Sequence, residues 1–460
     1  MNKVSKTISK SLCIIISIFV IAMSVIISKL WFDDSLQIKA IGLLITSLIL
    51  WISEAVPMSI ATLVLVFAMP FLGLMDYDTI LSNFGLGTSL FIMASSGITV
   101  AIANSNIPNK ITATVFKKTG NHPYLLVFFL GIAITIFSGF VSSLATCTLF
   151  SSLVATSLKN AKIDPKSNNM GKVLMLVIPA CSGIGGFISP AGTPANLLVM
   201  EILKANSIVV SFGQWCLIGA PISIITAIIF LVSVIVIFKP KEILILNTHL
   251  DEKFNRKDFL LVIILSVVVI CWFLTSTIPV LTTTGIAIFG LGILFIPKLN
   301  ILDMNKFSNG VNWDLVVTMG SVSVLMLGIT QTGLITSFVN AVFSNVLHVH
   351  PLCLLMIVSL AICIIRAFVP TTTAVIALLA PVLVEIASKT SLNFLPLMFI
   401  AAYWAATALL FVHTEPIYLI TYKEHYYNQV DLLRSGCIPS ILGGTVVTCL
   451  IYYISISIIC

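Results

Sequence analysis

Charge is scarce along this chain, and the scarcity argues against a soluble protein. Only 9% of its 460 residues are Asp, Glu, Lys or Arg, and 58% are hydrophobic, whereas soluble domains carry about 25% charged residues. The longest polar stretch, residues 239–257, is shorter than the roughly 50 residues of a small domain. The composition therefore predicts a polytopic membrane protein and no nucleic-acid partner.

Cysteine patterns that bind metals or form disulfides are also missing. The ten Cys residues form no CxxC pair and lie mostly inside apolar stretches, where Cys is usual as a small core residue. We therefore expect these cysteines to pack in the core, and we expect no bound cofactor.

Long apolar runs make up most of the chain instead. Runs long enough to cross a bilayer as helices lie near residues 11–31, 58–74, 87–105, 213–238, 258–275, 280–296, 313–333 and 436–459, with a shorter one near 38–53. Interrupted apolar stretches lie at 124–158, 172–201, 351–388 and 395–421. No convincing small-residue cleavage site follows the first run, so we expect a retained first helix.

One pattern of interruption occurs twice. The segments SGFVSSLATCT at 138–148 and RAFVPTTTAVI at 366–376 share a Phe-Val pair followed by small hydroxyl residues. Each is followed by a break in a later apolar segment, SPAGTPAN at 189–196 and VHTEPIY at 412–418. A break inside lipid needs a cavity or protein around it, because freed N–H and C=O groups need partners. Two such sets in corresponding positions predict the binding site of an internally repeated secondary transporter.

The basic residues predict how the chain is oriented. We place the N-terminus in the cytoplasm and let 124–158 and 351–388 each enter and leave the membrane on one side. Of the 24 basic residues, 19 then fall on the cytoplasmic side, and those elsewhere are Lys29, Lys39, Lys204, Lys389 and, within the second hairpin, Arg366. This bias is the one that the positive-inside rule predicts.

The predicted fold is all-α, with about eleven transmembrane helices and two re-entrant hairpins. Residues 1–37 hold the N-terminal tail and first helix, 38–238 the first repeat, 239–257 a cytoplasmic linker and 258–460 the second repeat. Hairpin 124–158 enters from the cytoplasm and hairpin 351–388 from outside, so the repeats have inverted topology.

Several segments resemble the divalent anion–sodium symporter family, which carries dicarboxylates, citrate or sulfate. The resemblance rests on the two hairpin tips and on WISEAVP at 51–57, SGIGGFISPAGTPANLL at 182–198 and VNWDLVVTMG at 311–320. It implies an inverted-repeat transporter that moves its hairpin-bearing units against a scaffold. It also implies coupling to Na⁺ and, by similarity to related families, a homodimer.

The tips and breaks supply groups that suit a small anion. Gly192 and Pro194 interrupt a helix, and half-helix N-termini offer N–H donors and partial positive charge to a carboxylate or sulfate. The hydroxyls that can donate to the substrate are those of Ser143, Thr193, Thr371, Thr372 and Thr414. The alternative is that these hydroxyls bond to their own helix or join neighbouring helices.

The resemblance implies a sodium site at the first hairpin only. The residues that fall where the family has oxygen ligands for Na⁺ are Ser138, Ser142, Ser143 and Gly192. The second half departs from the family pattern. Both tips lack the family's asparagine, and Arg366 stands where the family has a sodium-ligating residue.

Two charges in the second half are candidates for a functional pair. Arg366 is the only charge in 351–384 and Glu415 the only one in 395–422, and ionisable residues within membrane segments usually have a role. We hypothesise that they pair, and that the guanidinium takes the place of a second Na⁺ or binds an anion. The alternative is that Arg366 reaches an interface and Glu415 caps a helix. His413 either pairs with Glu415, takes a proton or only packs.

These features together predict a secondary active transporter, not an enzyme, in the plasma membrane of a bacterium-like cell. The first candidate substrate is a C4-dicarboxylate, with Na⁺ as the coupling ion. A proton-coupled carrier and an anion exchanger of the sulfate or citrate class remain open alternatives. An intramembrane enzyme that uses His413 and Glu415, and a non-transporting sensor, are the alternatives from other classes.

The predicted topology can be tested by labelling single cysteines in intact cells, in a background without reactive native cysteines. We expect an impermeant reagent to label positions in 340–350 and 388–394, and not positions in 159–172 or 239–257, because the last two are Lys-rich and cytoplasmic. External labelling of both Lys-rich segments would contradict the inverted arrangement.

Overall fold

A computed structural model describes most of the chain. The described residues are 3–53, 55–119, 122–160, 163, 165, 168–241, 254–278, 280–343, 349–367, 369, 372–390, 392–407 and 409–459. Within these ranges the secondary structure is helical and contains no strand, as the predicted all-α class requires.

Eleven helices precede the expected linker. They are α1 (Lys3–Trp31), α2 (Leu36–Ser53), α3 (Met58–Leu72), α4 (Tyr77–Ser82), α5 (Leu86–Ala103), α6 (Ile107–Thr119), α7 (Pro123–Ser138), α8 (Ser143–Asn160), α9 (Asn169–Gly186), α10 (Pro194–Ala205) and α11 (Phe212–Phe238).

Eleven more helices follow it. They are α12 (Arg256–Leu274), α13 (Thr283–Leu294), α14 (Met304–Gly310), α15 (Trp313–Gln331), α16 (Leu334–Phe343), α17 (Pro351–Arg366), α18 (Thr372–Lys389), α19 (Phe394–Ala406), α20 (Pro416–Tyr422), α21 (Gln429–Ile438) and α22 (Gly444–Ile459). A short 3₁₀ helix spans Val412–Thr414, and a π-helical turn, Pro439–Gly443, joins α21 to α22. Most of the expected linker 239–257 lies outside the described residues.

The helices confirm a polytopic membrane protein. Among the described residues, nine helical stretches are long and apolar enough to cross a bilayer, and five shorter apolar helices accompany them. The number of crossings stays a prediction, and so does re-entry of the hairpins.

Two helix pairs occupy the positions of the predicted hairpins. Helices α7 and α8 are separated by residues 139–142, and α17 and α18 by residues 367–371. The predicted limits, 124–158 and 351–388, agree with these pairs to within two residues at each end. Phe368, Pro370 and Thr371 of the second tip lie outside the described residues.

Two helices are interrupted where the sequence predicts breaks. Helix α9 ends at Gly186 and α10 begins at Pro194, while α19 ends at Ala406 and α20 begins at Pro416. In each case proline is the first residue of the new helix, the position at which its missing N–H and fixed φ are best tolerated.

The two interrupted helices lie at the centre of the molecule. All 13 residues of α19 are buried, as is nearly all of α9, and a helix that is apolar and buried on every side belongs to a core. Helix α9 packs against α7, α8 and α20, and α19 packs against α17, α18 and α10. Helix α20, which follows the second break, therefore packs against the first helix pair. Helix α10, which follows the first break, packs against the second pair.

Glycines allow the backbones around the first break to approach closely. A Cβ at Gly185 would lie 2.2 Å from the carbonyl oxygen of Thr135 on α7, and a Cβ at Gly192 would lie 2.4 Å from the carbonyl oxygen of Gly186. Real Cβ atoms do not come this close to backbone. The chain can therefore fold back on itself at this break only with glycine at these positions.

Helix α15 begins as the sequence predicts. Asn312 caps it by accepting from the Leu315 N–H, and Asp314 lies in its first turn, where a carboxylate favours the helix dipole. Asp314 also accepts from the backbone N–H and hydroxyl of Ser59. This carboxylate therefore joins the first turns of α3 and α15.

The close approach at Gly192 yields a prediction about stability. We expect Gly192→Ala to destabilise the protein by about 1–3 kcal/mol, as overpacking in a dense interior typically does. The measurement is the thermal midpoint of the detergent-solubilised protein. Gly292→Ala is the control, because a Cβ there meets nothing within 4 Å. Equal midpoints for the two variants would contradict the close approach.

Candidate functional site

A cavity of about 710 Å³ lies between the hairpin tips, the breaks and the neighbouring helices. Its polar lining includes Ser142, Ser143, Thr193, Thr372 and Glu415. Four of these five residues are predicted ligands of substrate or ion, and Glu415 belongs to the predicted charge pair. The fold therefore brings residues that are far apart in sequence to one space.

Three helices begin at the wall of this cavity. They are α8 at Ser143, α10 at Pro194 and α18 at Thr372, and all three of these residues line the space. The N-cap residue of α10, Thr193, uses no side-chain oxygen to cap its helix. Helix N-termini carry unpaired N–H groups and partial positive charge, so this wall suits an anion.

Hydrogen bonds tie the first hairpin to the first break. The backbone N–H of Ser143 donates to the Gly192 carbonyl oxygen at 3.1 Å, and the Ser138 hydroxyl donates to the Ser182 carbonyl oxygen at 2.6 Å. The Ser189 hydroxyl donates to the Gly139 carbonyl oxygen. Ser138 and Gly192 are buried beneath the cavity wall, whereas Ser142 and Ser143 line it.

Asn196, in the TPAN segment of the first break, is a site residue that the sequence analysis did not assign. Its side-chain amide donates to the carbonyl oxygens of Gly186 and Ser189, both at 2.8 Å, which holds the break in shape. Its Oδ1 and the Ser182 hydroxyl are buried and have no hydrogen-bond partner among the described residues. A buried oxygen without a partner is costly, and a hard cation such as Na⁺ favours oxygen ligands. The first break therefore fits the predicted sodium site.

In the second half, Arg366 and Glu415 are in contact. Arg366 ends α17 with 2% of its surface exposed. Its Nε donates to the Ala405 carbonyl oxygen at 3.2 Å, and its Nη1 donates to those of Val369 and Thr414, both at 2.6 Å. Its Nη2 donates to Glu415 Oε2. Carbonyls and a carboxylate thus surround the guanidinium.

Among the described residues, the side chains of Thr414 and His413 do not line the cavity. The Thr414 hydroxyl donates to the Phe411 carbonyl oxygen at 2.6 Å and is buried away from the cavity. His413 is exposed, and its Nε2 lies 3.3 Å from the Ala367 carbonyl oxygen. Thr371 lies outside the described residues.

Hydroxyls on α5, which were not among the predicted site residues, also line the cavity. Ser95, Ser96 and Thr99 all face the cavity. Their spacing of three and four residues places them on one face of a helix, and this was the available signal. The Thr373 hydroxyl, also at the wall, contacts the Met58 sulfur at 3.8 Å.

Curated relatives of similar sequence are transporters. An uncharacterized transporter of Methanocaldococcus jannaschii is 23% identical over 93% of this chain and 97% of its own. The inorganic phosphate transporter PHO87 of Saccharomyces cerevisiae is 22% identical over 82% of this chain and 41% of its own. The sodium-dependent dicarboxylate transporter SdcS of Staphylococcus aureus is 21% identical over 88% of this chain and 83% of its own.

A solved transporter structure shares the fold. The crystal structure of the YdaH transporter from Alcanivorax borkumensis matches with a TM-score of 0.58 and 15% identity, over 84% of this chain and 90% of that one. The pattern that defines the citrate transporter family (CitMHS) matches residues 48–453. Because that match covers most of the sequence, this chain belongs to the citrate transporter family.

Proposed function

We propose that this protein couples the movement of Na⁺ to the transport of a small divalent anion, with a C4-dicarboxylate as the first candidate. The observation that carries the proposal is the cavity, where two hairpin tips and the first break present hydroxyls and helix N-termini to one space. Its volume of about 710 Å³ lies within the usual range of about 300–1,000 Å³ for small-molecule sites.

The lining supports an anion with two separated acceptor groups. Ser143 and Thr193 belong to the first half and Thr372 to the second, so one carboxylate can contact each half. Hydroxyls and N–H groups donate to carboxylate oxygens without a fixed charge at the contact. This arrangement releases its ligand more easily than a direct ion pair would, and a transporter must release what it binds.

Sodium at the first break supports the same function. A dianion in a low-dielectric interior is costly, and one Na⁺ beside the first hairpin would neutralise half of its charge. The Ser143 N–H to Gly192 carbonyl bond joins the hairpin tip to that break. Ion binding there would therefore order the residues that contact the substrate.

The cavity reaches the predicted cytoplasmic side. Lys10, Ala55 and Asp314 are among the residues that line it, and the distribution of basic residues places all three near the cytoplasm. We therefore propose that the structure represents the inward-facing state, from which substrate leaves to the cytoplasm.

The names of similar proteins support transport as the function but give different substrates. Dicarboxylate and inorganic phosphate both occur in the names of similar proteins, so a panel of anions is needed to identify the substrate. The intramembrane enzyme alternative gains no support from geometry. Glu415 bonds to Arg366, and His413 contacts a backbone carbonyl.

Removing wall hydroxyls should weaken substrate binding. We expect Thr193→Val and Thr372→Val to raise KM about tenfold each, because an unpaired substrate oxygen costs about 1–3 kcal/mol. Thr156→Val is the control, since that hydroxyl lies on α8 away from the cavity and donates to the Ser152 carbonyl oxygen. An unchanged KM in both wall variants would assign these hydroxyls to packing.

Uptake into proteoliposomes tests the function as a whole. The panel is succinate, citrate, sulfate and phosphate, each with an inward Na⁺ gradient, with a proton gradient alone, or with internal substrate and no ion gradient. We expect dicarboxylate uptake that requires Na⁺. Uptake driven by protons alone would support the proton-coupled alternative, and uptake that requires internal substrate would support the exchanger.

A further inference from the structure

We propose that Arg366 is a permanent cation of the second half, in the place that corresponds to the sodium site of the first half, so that one Na⁺ moves per cycle. The inference rests on the proposed function. It deepens that function by assigning a stoichiometry and the side chain that sets it.

The internal repeat gives the correspondence. When the Phe-Val pairs of SGFVSS and RAFVPT are aligned, Arg366 falls on Ser138. When the prolines that begin α10 and α20 are aligned, Glu415 falls on Thr193. The two charges of the second half therefore replace two hydroxyls of the first.

Corresponding side chains bind corresponding backbone. Ser138 ends α7 and donates to the Ser182 carbonyl oxygen near the C-terminal end of α9. Arg366 ends α17 and donates to the Ala405 carbonyl oxygen at the C-terminal end of α19. Both positions lie at the negative ends of two helix dipoles, where a cation is stabilised.

The two halves differ in how the buried polar groups near these positions are satisfied. In the first half, Asn196 Oδ1 and the Ser182 hydroxyl are buried without a partner in the described part of the chain. In the second half, three carbonyl oxygens and Glu415 Oε2 accept from the guanidinium. The first half therefore has two buried side-chain oxygens left for an ion, whereas in the second half the guanidinium already supplies a cation to four acceptors.

The guanidinium leaves only a small gap beside it. This gap, lined by Cys363, Thr407 and Thr414, has a volume of about 10 Å³, which is about what a single water needs. A second cation in it would lie next to the like charge of the guanidinium, which disfavours its binding. An Arg without its acceptors in such an interior would be strongly destabilised.

The pair has a consequence for charge movement. Arg366 and Glu415 belong to the protein and so do not travel from one side of the membrane to the other as cargo. A fully ionised dicarboxylate carried with one Na⁺ moves one net negative charge. With two Na⁺ the cycle would be neutral, so the reversal potential separates the two cases.

The decisive variant gives the second half the first-half residues at these two positions. In Arg366→Ser/Glu415→Thr the charges are removed together and replaced by the residues of the corresponding first-half positions. We expect the sodium dependence of uptake to change from a Hill coefficient of about 1 in the wild type to one approaching 2, since the coefficient is bounded by the number of sites. Arg366→Ser alone, which leaves Glu415 unpaired, should reduce uptake at least about tenfold.

A second measurement detects Na⁺ binding itself, so it does not depend on transport activity. The thermal midpoint of each purified protein is measured in NaCl and in choline chloride, because a ligand that binds only the folded state raises the midpoint. We expect a larger Na⁺-dependent rise in the double variant than in the wild type. Arg366→Lys, which keeps the charge and loses the planar fork, should show no rise beyond that of the wild type.

Two results would overturn the inference. One is a wild-type reversal potential that fits two Na⁺ for each dicarboxylate. The other is a double variant that folds but gains no Na⁺-dependent stabilisation. If the wild type instead transports without Na⁺, the proposed coupling fails, and the thermal measurement on the double variant still decides whether Arg366 fills a cation site.

Discussion

The whole arrangement depends on two interruptions of helix inside an apolar interior. A bilayer offers no water to the N–H and C=O groups that a broken helix releases, so the protein itself must supply every partner. Around the first break these partners are the Ser143 N–H, the Ser138 hydroxyl and the Asn196 amide. Around the second they are the guanidinium of Arg366 and its contacts. The hairpins are best understood from this requirement, because each one brings donors to a break that would otherwise be too costly to form.

The two halves supply partners to their broken helices with different side chains, and this difference bears on function. Hydroxyls and an amide are neutral and leave buried oxygens unpartnered, which is why we propose that the first site is filled and emptied by an ion. An arginine held by three carbonyls and a carboxylate is a closed arrangement, since removing one member of a buried ion pair is strongly destabilising. In the mechanism proposed above, the repeat would therefore combine one exchangeable site with one permanent site. Two residues would then set the ion requirement, with no change of the backbone.

Much of the architecture could be predicted because it follows from hydrophobicity and helix-breaking residues. The helix pairs α7–α8 and α17–α18 lie at the predicted positions, and Pro194 and Pro416 stand at new helix starts, while re-entry of the hairpins stays a prediction. The amphipathic helix α6 was not predicted, because Ile107–Thr119 is not a long apolar run and its last turn holds two lysines.

The hydroxyls of α5 were also missed. Ser95 donates to the Ile92 carbonyl oxygen of its own helix, as a purely structural serine would, and only the tertiary fold shows that it faces a cavity. Orphaned oxygens such as Asn196 Oδ1 cannot be recognised from sequence, since their isolation depends on what packs around them.

The exchange of helices between the halves bears on how the protein is made. Helix α9 has α20 among its neighbours, and α10 packs against α18 and α19, yet ribosomes deliver the first half well before the second. During synthesis the first hairpin and its break must therefore wait in the membrane with part of their surroundings missing. The packing around the first break is thus complete only when the last helices have been inserted.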